Sequence, residues 1–209
     1  MRERLSNIVR HLLYSWRYPR DIIYCILYIG SWNSSWRLYG LPLIYVHKNA
    51  KLTIGLRWTA CSNPKYNSLG VFQDVTIKAM VPGARITIGN DVGMSGVSIS
   101  CRTQITIGDN TLLGSGAVIT DNDAHGIHPD FRNNQGAIKA KPVHIAKDVF
   151  IGARSLILKG VTIGEGAVVG AGSVVSKDVP SMAIVAGNPA RIVGDVRDPK
   201  FQYSSSLKN

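Results

Sequence analysis

From Ile145 onward an aliphatic residue returns at every sixth position: Ile145, Ile151, Ile157, Ile163, Val169 and Val175, without a gap. The next column holds Ala146, Gly152, Leu158, Gly164, Gly170 and Ser176, mostly glycine or small. Four past each aliphatic stand Val149, Ser155, Val161, Ala167, Ser173 and Val179, all small or β-branched. A period sustained over this many units is the mark of a solenoid. Six residues are too few for a helix and its turn, but they suit one short strand and one corner. Three such units close one triangular coil, with one aliphatic per side pointing into a prism. Small residues keep the corners compact, and glycine tolerates a positive φ there, which gives the 21 glycines of this 209-residue chain a structural reason.

The same column continues upstream. "QITIGDN" and "RITIGND" are near-copies and "KLTIGLR" is a fainter third, while Ile107, Leu113 and Ile119 step by six. Ile54 to Ile88 reads as two coils with irregularities, so the prism is expected from about residue 50 to residue 180. The rhythm breaks after Ile119. The next column position is His125, and the pattern resumes only at Ile145. A loop is therefore expected to leave the coil at 124 and re-enter at 144. Its Asp, Asn, Gly, Pro and Arg content is that of a solvated segment, and loops of this length in compact domains commonly carry function.

These motifs resemble the hexapeptide-repeat acyltransferases, in particular the sugar O-acetyltransferase branch with the galactoside, maltose and lipopolysaccharide enzymes. The resemblance covers roughly residues 84 to 194. It implies an all-β fold, a left-handed parallel β-helix with an extruded loop, to which the separate reading of residues 1–49 adds a partly helical N-terminal segment. It implies a catalytic histidine at the loop's start and an arginine seven residues later, matched here by His125 and Arg132. It also implies acetyl-CoA as cosubstrate. Ala153 and Ala171 match positions beside the pantetheine arm, and Ser176, Lys177 and Arg191 match positions near the nucleotide phosphates. Small residues admit an extended arm, and basic ones neutralise a polyanionic cofactor. Phe150 stands where many relatives have a tryptophan beside the active site. Homotrimers with a site in each intersubunit groove belong to the same resemblance.

Acyl transfer from a thioester to a hydroxyl needs a base for the hydroxyl proton, and a neutral imidazole suits that task. Asp121 or Asp123 is a candidate to orient the imidazole, against the reading of each as an ordinary turn residue. His128 is read as a loop or acceptor contact. The expected function is acetyl-CoA-dependent acetylation of a sugar hydroxyl on a bacterial surface polysaccharide, lipopolysaccharide or capsule, or its precursor. N-acetylation of a nucleotide-linked amino sugar is the alternative. An antibiotic acetyltransferase and a non-catalytic β-helix binding module stand further off. A metal hydratase of the same prism needs three histidines around zinc, and His125, His128 and His144 lack the paired spacing, so no metal is expected.

Residues 1–49 belong to no repeat and interleave aromatics with arginine; residues 50–194 form the expected β-helix domain and 195–209 a tail. The run Ile22 to Ile29 falls short of the approximately 18–20 residues of a membrane span. The segment suits a helix capping the open end of the prism and equally a peripheral membrane contact; both readings stand. The net charge of +11 favours anionic partners, but no nucleic-acid motif appears and no nucleic acid is expected. Cys25, Cys61 and Cys101 form no C-x-x-C pair and read as reduced, buried thiols. No secretory signal is apparent, so the expected location is cytoplasmic, with the inner face of the plasma membrane as a second possibility.

Overall fold

The computed structural model describes residues 18–201. Residues 18–28 are helical, and from Arg37 onward short strands wind into three parallel sheets, the faces of one left-handed prism. One face has eight strands, the second six and the third five. Every pairing between coils is parallel. Among the described residues, antiparallel pairing is confined to the terminal hairpin of Ala183–Gly187 with Ala190–Asp195 and to a lone bridge between Asn122 and Ala140 at the loop root.

The six-residue column forms the core. Ile107, Leu113, Ile119, Ile145, Ile151, Ile157, Ile163, Val169 and Val175 are all buried. They stack in register from coil to coil, as in Ile119 on Ile157 and Ile157 on Val175. Each buried aliphatic contributes about 1.5–3 kcal/mol relative to exposure. The small column is dictated by backbone approach at the corners. A Cβ on Gly152 would lie 2.5 Å from the Ala171 nitrogen, and one on Gly114 2.5 Å from that of Ala153. One row of corners also needs left-handed backbone, supplied by Arg57, Asp91, Asn110 and Asp148 at φ between 53° and 59°. Asp and Asn tolerate that region better than most residues.

Three expectations change. The prism begins at Arg37, not at residue 50: Arg37–Tyr39 pairs with Thr59–Cys61, and Leu43–Val46 with Thr76–Ala79. Its first coil lacks the six-residue glycine pattern, and aromatic packing takes its place. Trp36 meets Trp58 edge-on at 5.7 Å, and both are buried. Secondly, Ile54 lies directly against Ile88, so one coil separates them, lengthened by an excursion between Cys61 and Thr76 that carries the short helix Pro64–Tyr66. Thirdly, the large loop leaves at Asp121, immediately after the strand Val118–Thr120, and Val143–Ile145 restarts the coil. His125 therefore does not fill a core position; it is exposed.

The helix covers the first coil. Cys25 is fully buried in the same cluster as Trp36, Leu38 and Ile44, and the Tyr24 hydroxyl donates to the Pro42 carbonyl. The opposite side leaves Ile23, Ile26, Leu27 and Tyr28 exposed. Expectations for residues 1–17 and 202–209 lie outside the described residues. All three cysteines are free and buried. Among the described residues no helix is long and apolar enough to cross a membrane.

Candidate active site at the root of the loop

Local backbone chemistry aims the loop's first residues. The Asn122 side chain accepts from the Ala124 N–H at 3.0 Å. Ala124 adopts φ +62°, and the His125 N–H closes onto the Asp123 carbonyl at 2.7 Å. A hydrogen bond across three residues with a positive central φ is the strained γ-turn, a kind of cost that concentrates at functional sites. Just beyond, the Arg132 carbonyl accepts the Gly126 N–H at 3.2 Å and lies 3.3 Å from His125 Nδ1. Gly126 is buried, and a Cβ there would meet the Phe131 carbonyl oxygen at 2.3 Å, so glycine is required. The spacing of seven between His125 and Arg132 thus closes a small ring through the backbone.

This closure has a chemical consequence. A carbonyl only accepts, so the contact with Arg132 places the proton on His125 Nδ1 and leaves Nε2 with its lone pair free. The Arg132 guanidinium makes a separate bond, from Nη2 to the Ile127 carbonyl at 3.3 Å. His128 caps the short helix Pro129–Phe131, its Nδ1 accepting from the Asp130 N–H at 3.3 Å. That local contact aims its ring along the loop, away from a second-base role.

Asp121 does not orient the imidazole. It is fully buried, and its carboxylate accepts the backbone N–H groups of Arg102 at 2.8 Å, Thr103 at 2.6 Å and Gln104 at 2.9 Å. Thr103 Oγ1 and Asn122 Nδ2 donate to it as well. It is a bracket between coil and loop, required because the chain turns out of the prism where several N–H groups would lack acceptors. Beside it, burial and the Asp121 carboxylate push the Cys101 thiol up to about 12. Asp123 engages Lys159 with one oxygen, while its other, Oδ2, is buried with no hydrogen-bond partner among the described residues. Lys159, Asn122, Ala124 and Gly126 escaped the sequence reading. Only the glycine left a trace there, as part of the string "HGI".

Of the residues assigned to the donor, Ser176 and Lys177 come one coil after Leu158 and Lys159, the Leu158 N–H donating to the Val175 carbonyl at 3.0 Å. Ala153 and Ala171 occupy one corner in successive coils, the Gly172 N–H donating to the Ala153 carbonyl at 2.8 Å. Ser176 and Lys177 are exposed just past the strand Val174–Val175. Arg191 is exposed on the terminal hairpin, opposite Ala186. Phe150 lies between Leu112 and Val168 on the eight-stranded face, its ring about half exposed. No hydrogen bond or ring contact within the chain joins any of them to His125.

Residues 104–128 and 142–177 match the family described as "Hexapeptide repeat of succinyl-transferase". The matched residues are those of the stacked six-residue columns that form the later coils of the prism. Among curated relatives, the galactoside O-acetyltransferase of Escherichia coli (strain K12) is 37% identical over 99 residues, 47% of this chain and 48% of that protein. The 2,3,4,5-tetrahydropyridine-2,6-dicarboxylate N-acetyltransferase of Staphylococcus aureus (strain MRSA252) is 41% identical over 106 residues, 49% of this chain and 39% of that protein. The chain thus spans about half or less of the length of these relatives. Among solved structures, a hexapeptide-repeat-containing acetyltransferase from Vibrio cholerae O1 biovar eltor, complexed with acetyl coenzyme A, is 37% identical with a TM-score of 0.50. The match covers 54% of this chain and 61% of that one. The polySia-specific acetyltransferase NeuO is 26% identical with a TM-score of 0.62, covering 83% of this chain and 67% of that one.

Proposed function

We propose that this protein transfers an acetyl group from acetyl-CoA to a hydroxyl of a sugar in a bacterial surface polysaccharide, lipopolysaccharide or capsule, or its precursor. The observation that carries the reading is the contact of His125 Nδ1 with the Arg132 carbonyl, which in the neutral imidazole leaves Nε2 as the acceptor at the root of the loop. The acceptor oxygen attacks the thioester carbonyl carbon while Nε2 takes its proton. The tetrahedral intermediate then expels the thiolate, which recovers that proton from the imidazolium. Asp123, held by Lys159, keeps one carboxylate oxygen for a nearby donor. The galactoside O-acetyltransferase supports a sugar acceptor, and the structure solved with acetyl coenzyme A supports the donor.

The small-residue corner at Ala153 and Ala171 suits the pantetheine arm, and Ser176, Lys177 and Arg191 suit the phosphates. The reading places each site in a groove between copies of a homotrimer. Exposed Phe150, Ile192 and Val193 supply apolar surface for such contacts. The exposed helix residues Ile23, Ile26, Leu27 and Tyr28 support a peripheral membrane contact, at the inner face of the plasma membrane.

Release of free thiol from acetyl-CoA, followed against a panel of glycans and nucleotide-linked amino sugars, tests the reading. His125→Ala is expected to lower kcat on the true acceptor by about 10²–10⁴-fold, with acetyl-CoA binding unchanged. Equal rates in both proteins on a sugar hydroxyl would remove the base from His125. The Staphylococcus aureus N-acetyltransferase favours an amine acceptor as the second reading. A neutral amine attacks without a base, so turnover of an amino sugar with weak dependence on His125 selects it.

A further inference from the structure

A cavity of about 710 Å³ lies away from the loop, where the N-terminal helix meets the first coils on the eight-stranded face. Its size falls in the range of small-ligand sites. Its walls combine aromatic surfaces from Tyr18, Trp32 and Tyr39 with hydroxyls from Ser34, Ser35 and Thr59. Tyr18 and Trp32 stand edge-to-face at 5.7 Å, and Trp32 and Trp36 at 6.0 Å, so the rings are held as a rigid wall. Two carboxylates line the cavity, and each has its own arginine. Asp21 is buried and takes Arg20 Nη2 at 2.6 Å. Asp91 takes Arg57 through both oxygens, Nη2 to Oδ2 at 2.6 Å. Of the two arginines in the lining, Arg57 and Arg37, the second has no side-chain partner among the described residues.

We propose that this cavity binds an acidic sugar residue, its ring against the aromatic wall and its anionic substituent on Arg37. Pyranose rings present apolar C–H faces to aromatic planes and hydroxyls to paired donors and acceptors, and the wall supplies both. The Arg57–Asp91 pair keeps unused lone pairs and N–H groups for hydroxyl partners. One unpaired guanidinium matches one carboxylate or one phosphate, whereas a nucleotide diphosphate calls for several cations. Leu112 in the lining is the ladder neighbour of Phe150, so the cavity and that candidate active-site neighbour share one sheet. The proposal rests on the glycan-acceptor reading only for the source of the ligand: a remote unit of the acceptor chain occupies this cavity.

Titration calorimetry of the full chain distinguishes the outcomes. The probes are oligosaccharides of equal length bearing a uronate, a phosphate or neither, with UDP as a nucleotide control. The charged probes are expected to bind wild type and His125→Ala alike, and the one the cavity prefers identifies the substituent. Arg37→Gln is expected to weaken them at least tenfold, Arg37→Lys to restore part of the loss, and the neutral probe to bind at least tenfold more weakly than the charged ones. Thermal melts verify that the variants fold. Equal binding of the neutral probe, unchanged affinity in Arg37→Gln, tighter binding of UDP or no binding at all overturns the proposal. Loss of binding in His125→Ala overturns it too, by placing the ligand at the loop. Failed acetyl transfer with charged-probe binding intact counts against the enzyme reading alone.

Discussion

At the scale of single residues, the proposed chemistry rests on His125. His125 is set by three contacts none of which is an acidic partner: the Asp123 carbonyl at its N–H, the Arg132 carbonyl at Nδ1, and the closure at Gly126. A backbone carbonyl accepts and never donates, so in the neutral ring it selects the tautomer with the proton on Nδ1. Burial pushes Cys25 and Cys101 from 9.0 up to about 12, the nearby Asp21 and Asp121 adding to the effect. In the unfolded chain these thiols ionise near their ordinary value, so between pH 9 and 12 the unfolded state holds fewer protons than the folded one. Stability is therefore complete below pH 9 and lost as pH rises toward 12. Urea midpoints measured from pH 8 to 11 are expected to fall, and to fall less steeply in Cys101→Ala.

At the scale of elements, the decisive event is how a regular coil releases its chain. Asp121 gathers the N–H groups of Arg102, Thr103 and Gln104 from the coil below at the point where the strand Val118–Thr120 ends. Asp121→Ala strands those donors in a buried place, and a charge-assisted bond of this kind is worth about 1.5–3 kcal/mol. A loss of about 3 kcal/mol or more in urea unfolding is expected, with transfer activity falling because the loop root shifts. A loss under about 1 kcal/mol would mean that the bracket is incidental. The exit was misplaced by three residues in the sequence because counting in sixes carried the column on to position 125. Asp121, an acidic residue next to a strand, gives no sign in the sequence that it is buried. The first coil was hidden for a different reason: Trp36, Trp58 and Leu38 fill its interior where the repeat would have small and aliphatic residues.

At the scale of the whole molecule, the proposed homotrimer sets what one chain accomplishes alone. In that proposal, Arg191 on the terminal hairpin and Ala153 at its corner act with the loop histidine of another copy. Light scattering is expected to give about three times the chain mass of 22.7 kDa. Mixing a His125→Ala chain with an Arg191→Ala chain is expected to restore part of the activity, since some interfaces then carry both intact residues. A monomer with full activity would discard the shared-site arrangement.

The six-residue column was readable because it is a local rule: each coil asks the same positions for aliphatic and small side chains, so the period, the parallel prism and the loop's existence stand in the sequence. His125 and Arg132 were readable for the same reason, as a break and a spacing within it. The role of Arg132 as a carbonyl, the structural duty of Asp121 and the cavity with its unpaired Arg37 were decided by tertiary structure. They depend on which N–H groups, rings and charges are brought together from distant coils, and residue order alone does not encode those distances.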